Sequence, residues 1–137
     1  MAHWLVKSEP AKYSWDRMVA DKRTHWDGVH NFQAANNMKA MKAGDRAFFY
    51  HSNEGKEIVG VVEIVREFYP NAAEPSPHFG LVDVAPVTAV KKPVTLTEMK
   101  ANPALKDMAL IRQSRLSVCP VTDTEWTAVC QMAGIEA

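Results

Sequence analysis

The sequence predicts an α+β fold in a single domain, residues 1–137, with about five or six strands and short helices packed around them. Its length of 137 residues is enough for one domain that is stable without a metal or a disulfide. A composition of 47% hydrophobic and 23% charged residues is typical of a soluble globular protein. The predicted strands and helices alternate too irregularly for βαβ units, which favours a small mixed barrel or a strongly curved sheet.

The amino-terminal part predicts one strand and two helices. Residues 3–7 are the first strand, and Ser14 is suited to cap a short helix that continues to residue 20. Asn31 is suited to cap a second helix, which runs to about residue 42. Four apolar residues at helical spacing are expected on its buried side: Phe32, Ala35, Met38 and Met41.

A β-hairpin and a third long strand follow. Residues 46–52 and 58–68 are the strands of the hairpin, joined by a polar turn. Three prolines in residues 70–77 predict the longest loop. Residues 81–90 return to a strand, in which Pro86 indicates a bulge or a sheet edge.

The carboxy-terminal part predicts short helices, one strand and a final helix. Thr97 is expected to cap a helix that ends at Pro103, a further turn or two lie within residues 105–111, and residues 114–118 form a strand. Residues 122–125 have the pattern of a capping box. The last helix buries Trp126, Val129, Cys130 and Ala133 and ends at Gly134.

Charge is distributed unevenly along a chain whose net charge is zero. Residues 7–46 contain eight Lys or Arg against five Asp or Glu, and residues 91–115 contain six against two. If these segments meet in the fold, one face is basic and holds a few phosphates with modest affinity. The alternative is that the charges are scattered over a solvated surface.

Residues 24–37 combine an aromatic residue with several amides. Trp26 offers a flat ring, while Asn31, Gln33, Asn36 and Asn37 present the donors and acceptors that complement a nucleobase edge. Alternatively, Asp27 and Gly28 form an ordinary turn and Trp26 fills the core.

Further motifs extend this pattern along nearly the whole chain. They are WLVKSEP at 4–10, Tyr13-Ser14, WDGVHN at 26–31 with Gln33 and Asn36, FYHSN at 49–53, IVG at 58–60, VDV at 82–84 and SRLSV at 114–118. Together they resemble the EVE domain family, the thymocyte-nuclear-protein-like branch of the PUA-like superfamily, which is itself similar to the YTH readers of methylated adenine. The resemblance implies a PUA-like pseudo-barrel of mostly antiparallel strands.

The resemblance also implies a ligand pocket formed by four distant segments. Its residues are Lys7, Ser8, Trp26, Gly28, Val29, Asn31, Tyr50, His51, Ser52, Arg115, Leu116 and Ser117. Trp26 is expected to be a partly exposed stacking surface, and Asn31 and Ser8 to bind the base edge. Lys7 and Arg115 are suited to flanking phosphates.

The chain departs from the family at two positions where Arg is common, since it has His30 and Ala35. If His30 takes the place of an Arg as a third phosphate ligand, binding becomes partly pH-dependent. His51, which ends an apolar strand, has a second interpretation as a hydrogen-bonded core histidine.

Taken together, the sequence predicts a binding module for one nucleotide with a modified base, a 5-substituted cytosine or an N-methylated base, in DNA or RNA. The alternative is a small-molecule-binding or protein-interaction domain without a nucleic-acid ligand. Catalysis is not expected, because Ser8, His51 and Asp27 lack a Gly-x-Ser-x-Gly motif. No cofactor and no metal are expected, since His25 and His30 are badly spaced for one helical face.

The location in the cell follows from what the sequence lacks. It has no membrane-spanning apolar run and no secretory signal, so a cytoplasmic location is expected, or a nuclear one in a nucleated organism. Cys119 and Cys130 fit buried thiols in a reducing compartment.

Overall fold

The computed structural model describes residues 2–27, 29 and 31–137. Six strands in these residues form one sheet in the order β2-β5-β4-β3-β1-β6. They are β1 (His3–Ser8), β2 (Thr24–Trp26), β3 (Arg46–His51), β4 (Glu57–Pro70), β5 (Gly80–Thr95) and β6 (Val118–Val121). Only the β1–β3 pair is parallel among the described pairs. The prediction of an α+β fold is confirmed. The sheet does not close into a complete barrel, since β2 and β6 form its two edges.

Five α-helices in the described ranges surround this sheet. They are α1 (Trp15–Asp21), α2 (Phe32–Ala40), α3 (Leu96–Ala101), α4 (Ala109–Arg112) and α5 (Asp123–Ala133), with a 3₁₀ helix at Pro103–Leu105. The caps predicted at Ser14 and Asn31 are confirmed, and Gly134 ends α5 with a φ of 72°. None of the described helices is long and apolar enough to span a membrane.

The central strand β3 is covered on both faces by aromatic rings. Phe48 stacks on Trp126 of α5, with ring centroids 3.9 Å apart. Phe49 instead contacts Trp15 at 5.4 Å and Trp26 at 5.7 Å. A Cβ at Gly60 of β4 would collide with the Trp15 ring, so this strand position has to be glycine. The cluster of Phe49, Trp15 and Trp26 adjoins the candidate site, because Trp26 also lines that site.

Several predictions of local structure are wrong. Strand β5 continues to Thr95, past its predicted end at residue 90, and β2 lies where no strand is predicted. The cap of α3 is Thr95, two residues before Thr97, because Thr95 and Glu98 form a reciprocal capping box. Residues 114–117 are a turn, and β6 begins only at Val118, where pairing with β1 starts. Phe32, expected to be buried, is 62% exposed because it is the first residue of α2 and lies outside the buried stripe.

Other predictions of local structure are confirmed. The β3–β4 hairpin forms, and β4 and β5 pair along a ladder with several register shifts. Pro86 lies opposite Val62 at one of these shifts, beyond the residues of β5 that pair with β2. The register shift at this position fits the bulge predicted at Pro86, since proline lacks the N–H that a regular ladder uses.

Candidate nucleic-acid interface

A cavity of about 600 Å³ opens beside the carboxyl end of β1. We call it the Trp26 cavity. The end of β1, the loop that follows, one side of α1 and strand β2 form its lining. The lining residues are Lys7, Ser8, Glu9, Lys12, Tyr13, Arg17, Asp21, Thr24, His25, Trp26 and Asp27.

Two aromatic rings meet at a right angle in this lining. The Tyr13 and Trp26 centroids are 6.4 Å apart with planes at 90°. Trp26 is only 8% exposed, so the expectation of a partly exposed stacking surface is wrong. The reason is tertiary, since Trp26 pairs with Val82 across the β2–β5 ladder and its ring packs against Phe49. Half-buried Tyr13 therefore supplies more of the accessible aromatic surface.

Tyr13 is not one of the site residues predicted from the sequence, although the Tyr13-Ser14 pair is one of the motifs that resemble the family. Its hydroxyl donates to Asp21 at 2.9 Å, and the Arg17 guanidinium lies 5.4 Å from its ring centroid. Burial, together with the hydrogen bond to Asp21, raises the pKa of Tyr13. The ring is thus held in place as a neutral phenol. The signal available in the sequence was its position just before the Ser14 cap, in the loop that leaves β1.

Ser8 and His51 are partners across the parallel β1–β3 ladder, and both support the Tyr13 loop. The Ser8 hydroxyl donates to the Tyr13 carbonyl at 2.5 Å, and the backbone N–H of Trp15 donates to His51 Nε2 at 3.0 Å. Burial lowers the pKa of His51, so the neutral acceptor form is favoured. These partners fit a hydrogen-bonded structural histidine, and neither group is arranged as a nucleophile with its base.

Tyr50 and Ser52 lie on either side of His51, and neither lines the Trp26 cavity. Tyr50 is 3% exposed, and burial raises the pKa of its hydroxyl. The Ser52 N–H donates to the Ser8 carbonyl at 2.9 Å. Residues 50–52, which the sequence places in the ligand pocket, therefore support the end of β1 and do not line the cavity.

Lys7 connects the cavity to the turn at residues 114–117. Its Nζ donates to the Ser114 carbonyl at 2.8 Å, and its backbone N–H donates to the Ser117 carbonyl at 3.0 Å. Burial lowers the pKa of the Lys7 ammonium group. The two basic segments of the sequence thus do meet at this point.

A second depression of about 340 Å³ lies on the turn, and we call it the Arg115 groove. Its lining consists of Asn31, Gln33, Arg112, Gln113, Ser114, Arg115 and Leu116. The Asn31 Oδ1 accepts from the Ala34 N–H at 2.9 Å, so this oxygen is used to cap α2. The Asn31 amide nitrogen is the part of the side chain suited to a ligand.

The predicted site is therefore divided between two neighbouring depressions. Lys7, Ser8 and Trp26 line the cavity, while Asn31, Arg115 and Leu116 line the groove. Val29 is in the core at 7% exposure. The predictions for Gly28 and His30 lie outside the described residues.

Ion pairs inside the Trp26 cavity nearly balance its charge. Lys12 lies 3.3 Å from Glu9 and Arg17 lies 3.8 Å from Asp21, so two of the three lining Lys and Arg side chains are paired with carboxylates. The His25 Nε2 atom also lies 3.7 Å from the Asp27 carboxylate. A cavity with both cations and carboxylates is suited to a polar ligand with donors and acceptors rather than to a bare anion. Among the described residues, no three His, Cys, Asp or Glu side chains are grouped to hold a metal.

Comparison with known proteins identifies relatives over the whole chain. The family model of the EVE domain matches residues 2–132. Human thymocyte nuclear protein 1 is 35% identical over 96% of this chain and 73% of its own length. An NMR structure of a Rhodopseudomonas palustris protein has a TM-score of 0.93 at 54% identity, covering 98% of this chain and 94% of that one. The crystal structure of human THYN1 in complex with 5-methylcytosine-containing DNA has a TM-score of 0.91 at 35% identity, covering 100% of both chains.

Proposed function

The chain belongs to the EVE domain family, and from that premise we propose that it binds DNA that contains a 5-substituted cytosine. The observation that carries this proposal is the similarity along the entire chain to human THYN1, which was solved with 5-methylcytosine-containing DNA. We further propose that the modified base is turned out of the duplex and enters the Trp26 cavity.

The size and chemistry of the cavity support that placement. Its volume of about 600 Å³ is within the range of small-ligand sites, which is about 300–1,000 Å³. The perpendicular rings of Tyr13 and Trp26 offer one face for stacking and one edge for contact with a substituent. Cytosine presents an amino group at N4, for which the carboxylates of Asp21 and Asp27 are suitable acceptors.

Phosphates beside the extruded base are assigned to the Lys7 and Arg115 side of the site. Arg115 and Arg112 lie along the groove that adjoins Lys7 through Ser114. The contribution of His30 as a third phosphate ligand remains part of this proposal. Because the whole chain has no net charge, we expect specific binding to exceed a weak non-specific background.

The test is equilibrium binding by fluorescence anisotropy to duplexes that differ at one cytosine, which is unmodified, 5-methylated or 5-hydroxymethylated. We expect at least about 10-fold tighter binding to a modified duplex, the equivalent of one well-formed contact. Single strands, RNA and N6-methyladenine duplexes complete the panel and identify the class of nucleic acid and base.

Two variants connect the binding to the cavity. Tyr13→Ala is expected to weaken binding to the modified duplex by about 10-fold to 100-fold, the effect of losing one stacking contact. Lys100→Ala, an exposed cation on α3, is the control and should bind as the parent does. Equal affinity for every oligonucleotide would refute recognition of a modified base and indicate non-specific binding to phosphates. Binding to none of them would refute the proposal and leave a small molecule or a protein as the ligand.

A further inference from the structure

Phe32 is the most exposed large apolar side chain in the described residues, at 62%. It is the first residue of α2, directly after the Asn31 cap. Its two chain neighbours, Asn31 and Gln33, both line the Arg115 groove. Phe32 is therefore flanked in the chain by two residues of the groove that also contains Arg112 and Arg115.

The Phe32 ring is held by two others from the loop before β5. Its centroid lies 4.6 Å from that of His78 and 5.3 Å from that of Phe79. These contacts fix the ring's orientation while leaving most of its surface open to solvent. A side chain that is ordered in advance loses little conformational entropy when a ligand covers it.

From this arrangement we propose that Phe32 contacts the DNA bases next to the extruded one and occupies the gap that extrusion leaves in the base stack. The inference rests on the proposed function and adds a second contact surface to it. Extrusion breaks the stacking and pairing of one base, which has an energetic cost. DNA-bending proteins offset such a cost by placing apolar side chains between base steps, and a phenylalanine is one of the residues they use.

The surroundings of Phe32 favour nucleobases over a protein partner. The other large apolar side chains exposed in the described ranges are Val19 and Val87, on α1 and β5. A stable protein interface needs about 1,000 Å² of buried surface with a continuous apolar centre, which one isolated aromatic cluster does not provide. A single exposed ring whose chain neighbours line a groove with Arg112 and Arg115 instead matches a stacked base flanked by phosphates.

Replacing Phe32 should leave the fold intact. The ring is mostly exposed, and its loss opens the neighbouring His78 to water. Within the described residues, His78 Nε2 is buried without a hydrogen-bond partner, so added solvent access does not break an existing bond. Phe32→Ala is therefore the main variant. Phe32→Leu, which keeps an apolar side chain without a ring, serves as the second.

The experiment measures the affinity of each variant for four duplexes with a single 5-methylcytosine. One duplex is complete, and in the others an abasic linker replaces the 5′ neighbour, the 3′ neighbour or the guanine opposite. We expect Phe32→Ala and Phe32→Leu to bind the complete duplex about 10-fold more weakly than the parent protein, as for a lost stacking contact. Phe32→Trp, which keeps a ring, and Val87→Ala, which removes another exposed apolar side chain, should stay within about twofold of the parent.

The abasic duplexes identify which base the ring contacts. On the duplex that lacks that base, the difference between parent and Phe32→Ala should fall below about threefold. A parent protein that does not prefer the modified duplex refutes the proposed function and this inference with it. A parent that does prefer it, with a Phe32→Ala loss below about twofold or a loss that is the same on all four duplexes, refutes only the role of Phe32.

Discussion

Tyr13 and Trp26 both line the cavity, and the proposed function gives them together the stacking role that the sequence predicts for Trp26 alone. The motif at residues 24–37 correctly located one aromatic side chain of the cavity. It did not show that Trp26 is buried, because that depends on the pairing of β2 with β5 and on contact with Phe49. Exposure of an aromatic residue is a property of tertiary packing, which residue spacing within one segment does not determine.

Truncation of Trp26 should therefore affect folding first. Trp26→Ala is expected to lower the free energy of unfolding by about 3–5 kcal/mol, because it leaves a cavity beside Phe49. Tyr13→Ala, which removes a half-buried ring, should cost clearly less. Urea denaturation of both variants measures the difference, and a Trp26→Ala protein within about 1 kcal/mol of the parent would contradict the burial described here.

His51 provides a test by pH. Its pKa is lowered by burial, so the folded state binds its proton less readily than the unfolded state, whose value is about 6.5. The contribution of His51 to stability is complete above that pH and is lost as the pH falls toward the lowered pKa. An NMR titration of the parent should give a His51 midpoint below about 6.5.

His51→Gln is the matched variant, since a glutamine oxygen is an acceptor that can replace His51 Nε2 as the partner of the Trp15 N–H. Thermal unfolding followed from neutral pH to about pH 5 should show a smaller loss of stability for this variant than for the parent. A His51 midpoint at or above about 6.5, or the same pH profile in both proteins, would contradict the assigned role of His51 as a neutral acceptor.

At the scale of elements, three helix starts were predicted correctly because their signals are local. The caps at Ser14, Asn31 and Thr122 each depend on one side chain and the backbone N–H three residues later. The start of β6 was predicted too early because Leu116 and Val118 alternate with polar residues as in a strand. Only the pairing with β1 shows that the strand begins at Val118.

The two threonines around α3 allow a direct test of the corrected cap. Thr95→Ala should lower the free energy of unfolding by about 1 kcal/mol, since it breaks the capping box with Glu98. Thr97→Ala, at an exposed position within the same helix, should have an effect within about 0.5 kcal/mol. Chemical denaturation of both variants decides between them. A larger cost at Thr97 would favour the original sequence-based assignment.

The turn at residues 114–117 is the element on which the proposed phosphate contacts depend. If Arg115 binds one phosphate, Arg115→Ala should weaken binding to modified and unmodified duplexes alike and reduce the slope of log affinity against log salt by about 1. Lys7→Ala should do the same, although loss of the bond to Ser114 adds a structural cost. Lys100→Ala is the control, and an unchanged salt slope in Arg115→Ala would place the DNA elsewhere.

At the scale of the whole molecule, the sequence predicted the class of fold, while a single basic face formed by its two basic segments stays a prediction. The Lys7–Ser114 hydrogen bond connects those segments within a protein of zero net charge. The division of the site into a cavity and a groove was not predictable, because it depends on how the Tyr13 loop and α2 are placed around the end of β1.

The central claim, that a 5-methylcytosine enters the Trp26 cavity, is tested most directly by NMR of a complex whose modified base has a carbon-13-labelled methyl group. We predict nuclear Overhauser contacts from that methyl group to ring protons of Tyr13 and Trp26, which line the cavity. The imino proton of the opposite guanine should disappear, because extrusion removes its pairing partner. Methyl contacts confined to neighbouring bases of an intact duplex, with the guanine imino proton preserved, would contradict the claim.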